Sequence, residues 1–203
     1  MRALIPVILV SLTGLFAFTL TKRSVEPTVN WISFTELDQL IQSPKWKKEK
    51  RKVIVDLYTD WCGWCKRMDK DTYAKERIAG YINSNFYAVK FNAEQKAAVS
   101  FGGREYAFKV LRQMKDGNGN VVKEQGTHEL AIAIGSVNGR IGYPTTVFLD
   151  ENLGLIQTLP GYLRDDQLYP MLKYYAEDHY KTVPWDQYQR DFNDPTKGGT
   201  IGD

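Results

Sequence analysis

Apolar positions along this chain recur with two different periods, and the switches between them mark its elements. Residues 33–41 place Phe34, Leu37, Leu40 and Ile41 on one helical face, with Ser33 and Glu36 spaced as a capping box. Residues 53–58 form an apolar run broken only by Asp56, the pattern of a strand covered on both faces. A helix is predicted from about Cys62 through Met68 and a second helical piece over 74–82, followed by an alternating strand over 86–91. Residues 92–141 read as a long connection. Within it a β-prone stretch (104–114), the turn-rich Lys115-Asp116-Gly117-Asn118-Gly119-Asn120 and Val121-Val122-Lys123 predict a hairpin insertion, about 93–126.

Another helix should open at Thr127-His128-Glu129-Leu130. Thr145-Thr146-Val147-Phe148-Leu149-Asp150 and Leu155-Ile156-Gln157-Thr158-Leu159 flank a turn and predict a second hairpin. A last helix is expected from about Arg164 to Tyr180, burying Leu168, Met171, Leu172 and Tyr175. The stretch 183–203, with two prolines and three late glycines, reads as an irregular tail. Strands alternating with helices imply parallel pairing through crossovers, and the late hairpin adds antiparallel strands. The expected fold is α/β, a central mixed sheet with helices on both faces.

Composition narrows this picture. With 203 residues, 43% hydrophobic, one ordinary domain plus extensions can be buried. The net charge of +3 is small and the basic residues are scattered. The densest run, Lys45-Trp46-Lys47-Lys48-Glu49-Lys50-Arg51-Lys52, reads as the solvated end of a helix rather than a nucleic-acid or membrane patch. At the N-terminus, Arg2 is followed by a mostly apolar stretch to Leu20, the layout of an export signal. Its length borders on the roughly 20 apolar residues a bilayer requires. No clean cleavage site follows, so residues 1–23 are expected either to be removed or to stay as a membrane tether, with the folded domain over 24–182. Export places the chain outside the cytoplasm, in a bacterial periplasm.

The chemistry is concentrated in Trp61-Cys62-Gly63-Trp64-Cys65-Lys66, directly after the buried strand. Cys62 and Cys65 are the only cysteines, so none is left for a structural staple. Two thiols one helical turn apart can close and reopen a disulfide. Lowering a thiol pKa from ~8.5 to ~7 takes about 2 kcal/mol, which a helix N-terminus can supply. Cys62 is then the nucleophile, and Cys65, less exposed, resolves the mixed disulfide. Asp56, six residues earlier in an apolar strand, should have a raised pKa and accept the proton; the alternative is a strand-end carboxylate that meets solvent. Trp61, Gly63 and Trp64 are candidate substrate contacts, the two indoles forming an apolar rim unless they are core aromatics. A zinc site would need His128 and His179 as further ligands, and these show no ligand spacing.

At these residues the chain resembles the thioredoxin superfamily. Val55-Asp56-Leu57-Tyr58-Thr59-Asp60-Trp61-Cys62-Gly63-Trp64-Cys65-Lys66 is similar to the family's strand, buried acid and active-site helix. Gly142-Tyr143-Pro144-Thr145-Thr146 resembles its loop before the antiparallel hairpin. The resemblance covers about residues 31–180 and implies a thioredoxin fold, a cis Pro144 beside the cysteines, and a Tyr143 backbone that pairs with extended substrate. Gly161 matches a family glycine, and Lys90 a lysine next to the buried acid. The wording around Cys62 and Pro144 is similar to exported bacterial members. Two features depart from the cytosolic pattern: Trp64 stands where those members carry proline, and the insertion is extra.

The expected activity is thiol–disulfide exchange on protein disulfides or thiols, with the Cys62–Cys65 pair as the redox group and no other cofactor. No dinucleotide or flavin fingerprint is present, so a separate protein must supply electrons. Two other readings remain: a non-catalytic binding module on the same scaffold, and metal delivery by the two thiols.

Overall fold

A computed structural model describes residues 28–194; residues 1–27, with the expected export signal or membrane tether, and residues 195–203 lie outside the described residues. The order is β1 (Trp31–Ile32), α1 (Phe34–Ile41), α2 (Pro44–Glu49), β2 (Lys52–Tyr58), α3 (Gly63–Met68), a π-helical turn (Asp69–Tyr73), α4 (Glu76–Asn85) and β3 (Phe86–Asn92). Then come β4 (Val99–Phe101), β5 (Arg104–Tyr106), β6 (Phe108–Lys115), β7 (Val121–His128), α5 (Glu129–Gly135), β8 (Thr145–Leu149), β9 (Leu155–Pro160), α6 (Asp165–Ala176) and α7 (Trp185–Asn193). Among the described residues no helix is long and apolar enough to cross a membrane.

The central sheet runs β1-β3-β2-β8-β9. β3 pairs in parallel with both β1 and β2, while β8 is antiparallel to β2 and β9. This is the mixed sheet that the alternation of helices and strands implied. Successive side chains of a strand point to opposite faces, so β2 feeds two cores. Val53, Val55 and Leu57 join Phe34 and Leu37 of α1 and Leu130 and Ile134 of α5 on one face. Ile54 joins Met68 of α3, Ile78 and Ile82 of α4, and Leu168 and Leu172 of α6 on the other. Asp56 has the parity of Ile54. Its carboxyl therefore points beneath the helix that carries the cysteines.

Local signals explain several boundaries. Ser33 caps α1 by accepting from the Glu36 N–H, while Glu36 Oε2 accepts from the Ser33 N–H at 2.7 Å. The basic run is its own short helix, α2, capped by Ser43 with Pro44 in the first turn. Lys52, at the end of that run, is buried instead of solvated: its ammonium lies 2.9 Å from Asp178 and 3.8 Å from Glu151.

The insertion holds two hairpins where one was predicted. Residues 104–114 do not form one strand. Gly102 and Gly103, both at positive φ, turn β5 back onto β4, and the chain restarts at β6 to pair with β7. Val99 and Phe101 are buried, Phe101 edge-on to Phe34 at 5.0 Å, so tertiary packing holds the small hairpin. The strand also runs on to His128, which caps α5 by accepting from the Leu130 N–H; Thr127 and His128 do not start the helix.

The expected irregular tail over 183–203 is corrected in part. Trp185–Asn193 is helical, beginning directly after Pro184. Trp185, Tyr188 and Phe192 fall at i, i+3 and i+7, a helical stripe obscured by the neighbouring proline and glycines. Tyr174 of α6 receives two of these rings, at 5.1 and 4.9 Å, and Tyr169 faces Phe192 at 6.4 Å. The last predicted helix is likewise shorter than expected, ending at Ala176, and Met171 is only partly buried.

Candidate active site

Cys62 is the N-cap residue of α3, with extended backbone angles, and it is disulfide-bonded to Cys65 across a Cα–Cα distance of 5.3 Å. The Cys65 backbone N–H donates to Cys62 Sγ at 3.0 Å. A helix leaves its first N–H groups unpaired, and here one of them is aimed at the leading sulfur. Once the disulfide opens, that donor and the helix dipole favour the thiolate. The two cysteines are almost equally covered, Cys62 4% and Cys65 3% exposed. The expected difference in exposure between them is thus absent, because the disulfide draws both sulfurs together under the rim.

That rim is aromatic. Trp61 and Trp64 are 68% and 55% exposed, so neither is a core residue. The Trp61 indole N–H donates to Glu94 at 3.1 Å and its ring stands 6.0 Å from Tyr143. Trp64 leans on Tyr162 at 5.4 Å, with the Arg67 guanidinium 5.3 Å above its own ring. Glu94 and Tyr162 were not candidates from the sequence, since each meets an indole only through folding; Arg67, three residues after Trp64 on the same helix, was a local neighbour that went unremarked. Gly63 has nothing within 4 Å of where a Cβ would stand, so that position is open to a partner.

The register brings the second motif to the first. Leu57 pairs with Thr145 and Asp56 with Thr146, so Pro144 lies one step past the end of that pairing, where β2 turns toward Cys62. The Tyr143–Pro144 peptide is cis. The Pro144 carbonyl accepts from the Gly161 N–H at 2.8 Å, and Gly161 has φ +106°, a conformation open to glycine.

Asp56 is 1% exposed, and burial, the largest influence, pushes its pKa up to about 6. The Lys90 ammonium, 3.2 Å from Oδ2, opposes that rise, and the Asp69 charge adds to it. Oδ1 has no hydrogen-bond partner, the mark of a buried carboxylate held away from full satisfaction. Lys90 bridges Asp56 and Asp69 and also lies 5.3 Å from the ring centroids of Trp31 and Tyr58. Burial presses the Lys90 pKa down, but the two carboxylates outweigh it and leave the ammonium firmly charged. Tyr73, fully buried beside Thr146, stays protonated because burial and then the Asp56 charge raise its pKa.

Asp69 was not singled out in the sequence. A usable signal was present: it follows Cys65 by four residues and so shares its helical face. The π-helical turn that begins there, with the Ala74 N–H donating to the Asp69 carbonyl at 3.1 Å, sets the carboxylate against Lys90. A pocket of ≈290 Å³ lined by Asp69, Lys90 and Tyr73 opens beside this bridge. Asp69→Asn should lower the Asp56 pKa, since a like charge disappears and Lys90 is left to Asp56 alone; Lys90→Met should raise it. A carbonyl-carbon NMR titration of Asp56 reads both signs, and equal midpoints in all three proteins would refute the coupling.

His128 serves the fold: its Nδ1 accepts from Leu130 and its Nε2 is 3.1 Å from the Ala97 carbonyl.

A mixed sheet with a cysteine pair at a helix start and a cis-proline loop across from it defines a thioredoxin-fold protein. The family model described as a thioredoxin-like domain matches residues 43–176, so the chain belongs to that family. Solved structures similar to it include a thioredoxin-fold protein from Helicobacter pylori (24% identity, 70% of this chain and 79% of that one, TM-score 0.47). The DsbH oxidoreductase is similar at 15% identity over 78% and 92% of the two chains, TM-score 0.48. A disulphide isomerase from Xylella fastidiosa Temecula1 is similar at 14% over 73% and 97%, TM-score 0.44. No curated protein matches the chain significantly.

Proposed function

We propose that the protein is an extracytoplasmic thiol–disulfide oxidoreductase that reduces or isomerises protein disulfides. The observation that carries this is the Cys62–Cys65 disulfide at the N-terminus of α3, with a backbone N–H directed at Cys62 Sγ. In the reduced form the Cys62 thiolate attacks one sulfur of a client disulfide. A Cys62–client bond forms, and the client's other sulfur leaves as a thiolate. Cys65 then loses its proton to Asp56 and attacks Cys62 Sγ. The client departs with both sulfurs reduced, two electrons richer, and Cys62–Cys65 is again a disulfide. A dithiol protein outside this chain returns the electrons by the same exchange in reverse. With a pKa of about 6, Asp56 is largely ionised at neutral pH and free to take that proton.

Trp61, Trp64, Tyr143 and Pro144 are the residues that hold the client, with Gly63 leaving room for it. Export rests on the apolar segment after Arg2, and the thioredoxin-like domain that follows it is the working part. The reductive direction follows from the buried Asp56, which resembles reductive members of the family. Equilibration with glutathione redox buffers, read by thiol alkylation, tests it. The expected potential is well below the ~−120 mV of a strong oxidant, and a value at that end would overturn net reduction.

A further inference from the structure

We infer that the groove beside Trp61, walled by the β6–β7 hairpin, is a second contact surface for the client and takes an extended segment carrying a carboxylate next to an apolar side chain. The inference rests on the oxidoreductase reading, because it assigns a substrate class to that site.

The groove encloses ≈450 Å³ and is shared between Trp61 and the hairpin. Trp61 adjoins Cys62 in the chain, so a segment lying here would flank the disulfide under attack. Gly126 lets the two strands of the hairpin close up at the groove's edge. A Cβ there would stand 2.7 Å from Phe108 Cζ and 2.1 Å from the Lys109 carbonyl oxygen, closer than packing permits. The register slips between Val110 and Arg112, which leaves Leu111 without a cross-strand partner. Leu111 is 66% exposed and lines the groove; bulges commonly re-aim a side chain in this way.

Charge selects the occupant. Both carboxylates lining the groove are engaged: Glu124 accepts from Lys96 at 2.7 Å and from Gln113 at 3.1 Å, and Glu94 accepts from the Trp61 indole at 3.1 Å. Arg112 and Lys123 line the same groove, and neither side chain has an ion pair or hydrogen bond among the described residues. Three cations (Lys96, Arg112, Lys123) against two carboxylates leave one net positive charge. An exposed apolar side chain beside two unpaired cations fits a peptide with an acidic residue and an apolar neighbour near its cysteine.

The test uses the reduced full chain and two cystine-bridged peptides that differ only in a Glu or a Lys two residues from the bridge. Oxidation of the protein is followed by tryptophan fluorescence, and each rate is divided by the same protein's rate with the neutral 2-hydroxyethyl disulfide. The Glu peptide should react about fivefold faster than the Lys peptide at low salt, an advantage that shrinks at high salt. Arg112→Glu combined with Lys123→Glu should reverse the order. Equal rates for the two peptides with the unaltered chain, or a preference that survives charge reversal, would overturn the groove assignment alone. No reaction with the peptides or with 2-hydroxyethyl disulfide would instead remove the oxidoreductase reading and the groove with it.

Discussion

Cys62→Ser should reduce disulfide exchange to the uncatalysed background, whereas Cys65→Ala should preserve the first attack and stop the second. The asymmetry follows from position. Only Cys62 Sγ receives a backbone N–H at the start of α3 and stands beside the exposed indoles of Trp61 and Trp64. A serine hydroxyl there is not ionised near neutrality, and Cys65, one turn inside the helix, has no such donor directed at it. With Cys65 removed, the Cys62–client bond lacks its internal attacker, so clients accumulate as mixed disulfides. Non-reducing electrophoresis of cell extracts should show Cys65→Ala adducts that vanish with dithiothreitol, and none for Cys62→Ser. Adducts from Cys62→Ser, or full function with both sulfurs gone, would favour the non-catalytic scaffold.

Asp56→Asn should slow the second step about a hundredfold near neutral pH, the usual scale for losing a positioned proton acceptor. The first attack, which does not call on Asp56, should keep its rate. In the unaltered chain the second step should rise through a midpoint near the Asp56 pKa of about 6; the variant should lack that limb. Single-turnover kinetics across pH 5 to 8 separate the two steps: decay of a preformed mixed disulfide reads the second, and adduct formation on a Cys65→Ala background, with and without Asp56→Asn, reads the first. Loss of the first step instead would mean that Asp56 acts on Cys62.

Stability should move the other way. Asp56 binds its proton at about pH 6 in the fold but at ~3.9 when unfolded, so the native state holds the extra proton between these values. The stability it contributes is therefore fully present below pH ~4 and is lost as pH rises through 6. About two pKa units at ~1.36 kcal/mol each make the ionised carboxylate a cost of the order of 3 kcal/mol at pH 8. Asp56→Asn removes that cost. Urea unfolding of the oxidised protein should show the variant more stable at pH 8, with the gap over the unaltered chain closing toward pH 4. A gap independent of pH would show that Asp56 is not buried in its charged form.

The Cys62–Cys65 pair, Asp56 in its covered strand and the hairpin beginning at Thr145 were all legible in the sequence. Each rests on short-range rules: a helix start, a period of two, a turn between β-prone runs. The capping box at Ser33 and Glu36 is of the same kind. Weak local signals failed where packing decides. The β4–β5 hairpin is held by Val99 and Phe101 in the core, and α7 by the aromatic side chains of α6. The first contact has no sequence period of its own, and the helical stripe behind the second is obscured by the neighbouring proline and glycines.

By itself the amino-acid order determined which two sulfurs pair and which strand and helix carry the candidate site, because those features depend on neighbours a few residues apart. The resemblance implied Pro144 near Cys62 and Lys90 near Asp56; only the tertiary structure added Asp69 to that bridge and set Glu94 and the hairpin around Trp61. Those arrangements depend on sheet register and on charges 13 to 34 positions apart, and solvent exclusion, which sets their electrostatics, exists only once the faces of the sheet are covered.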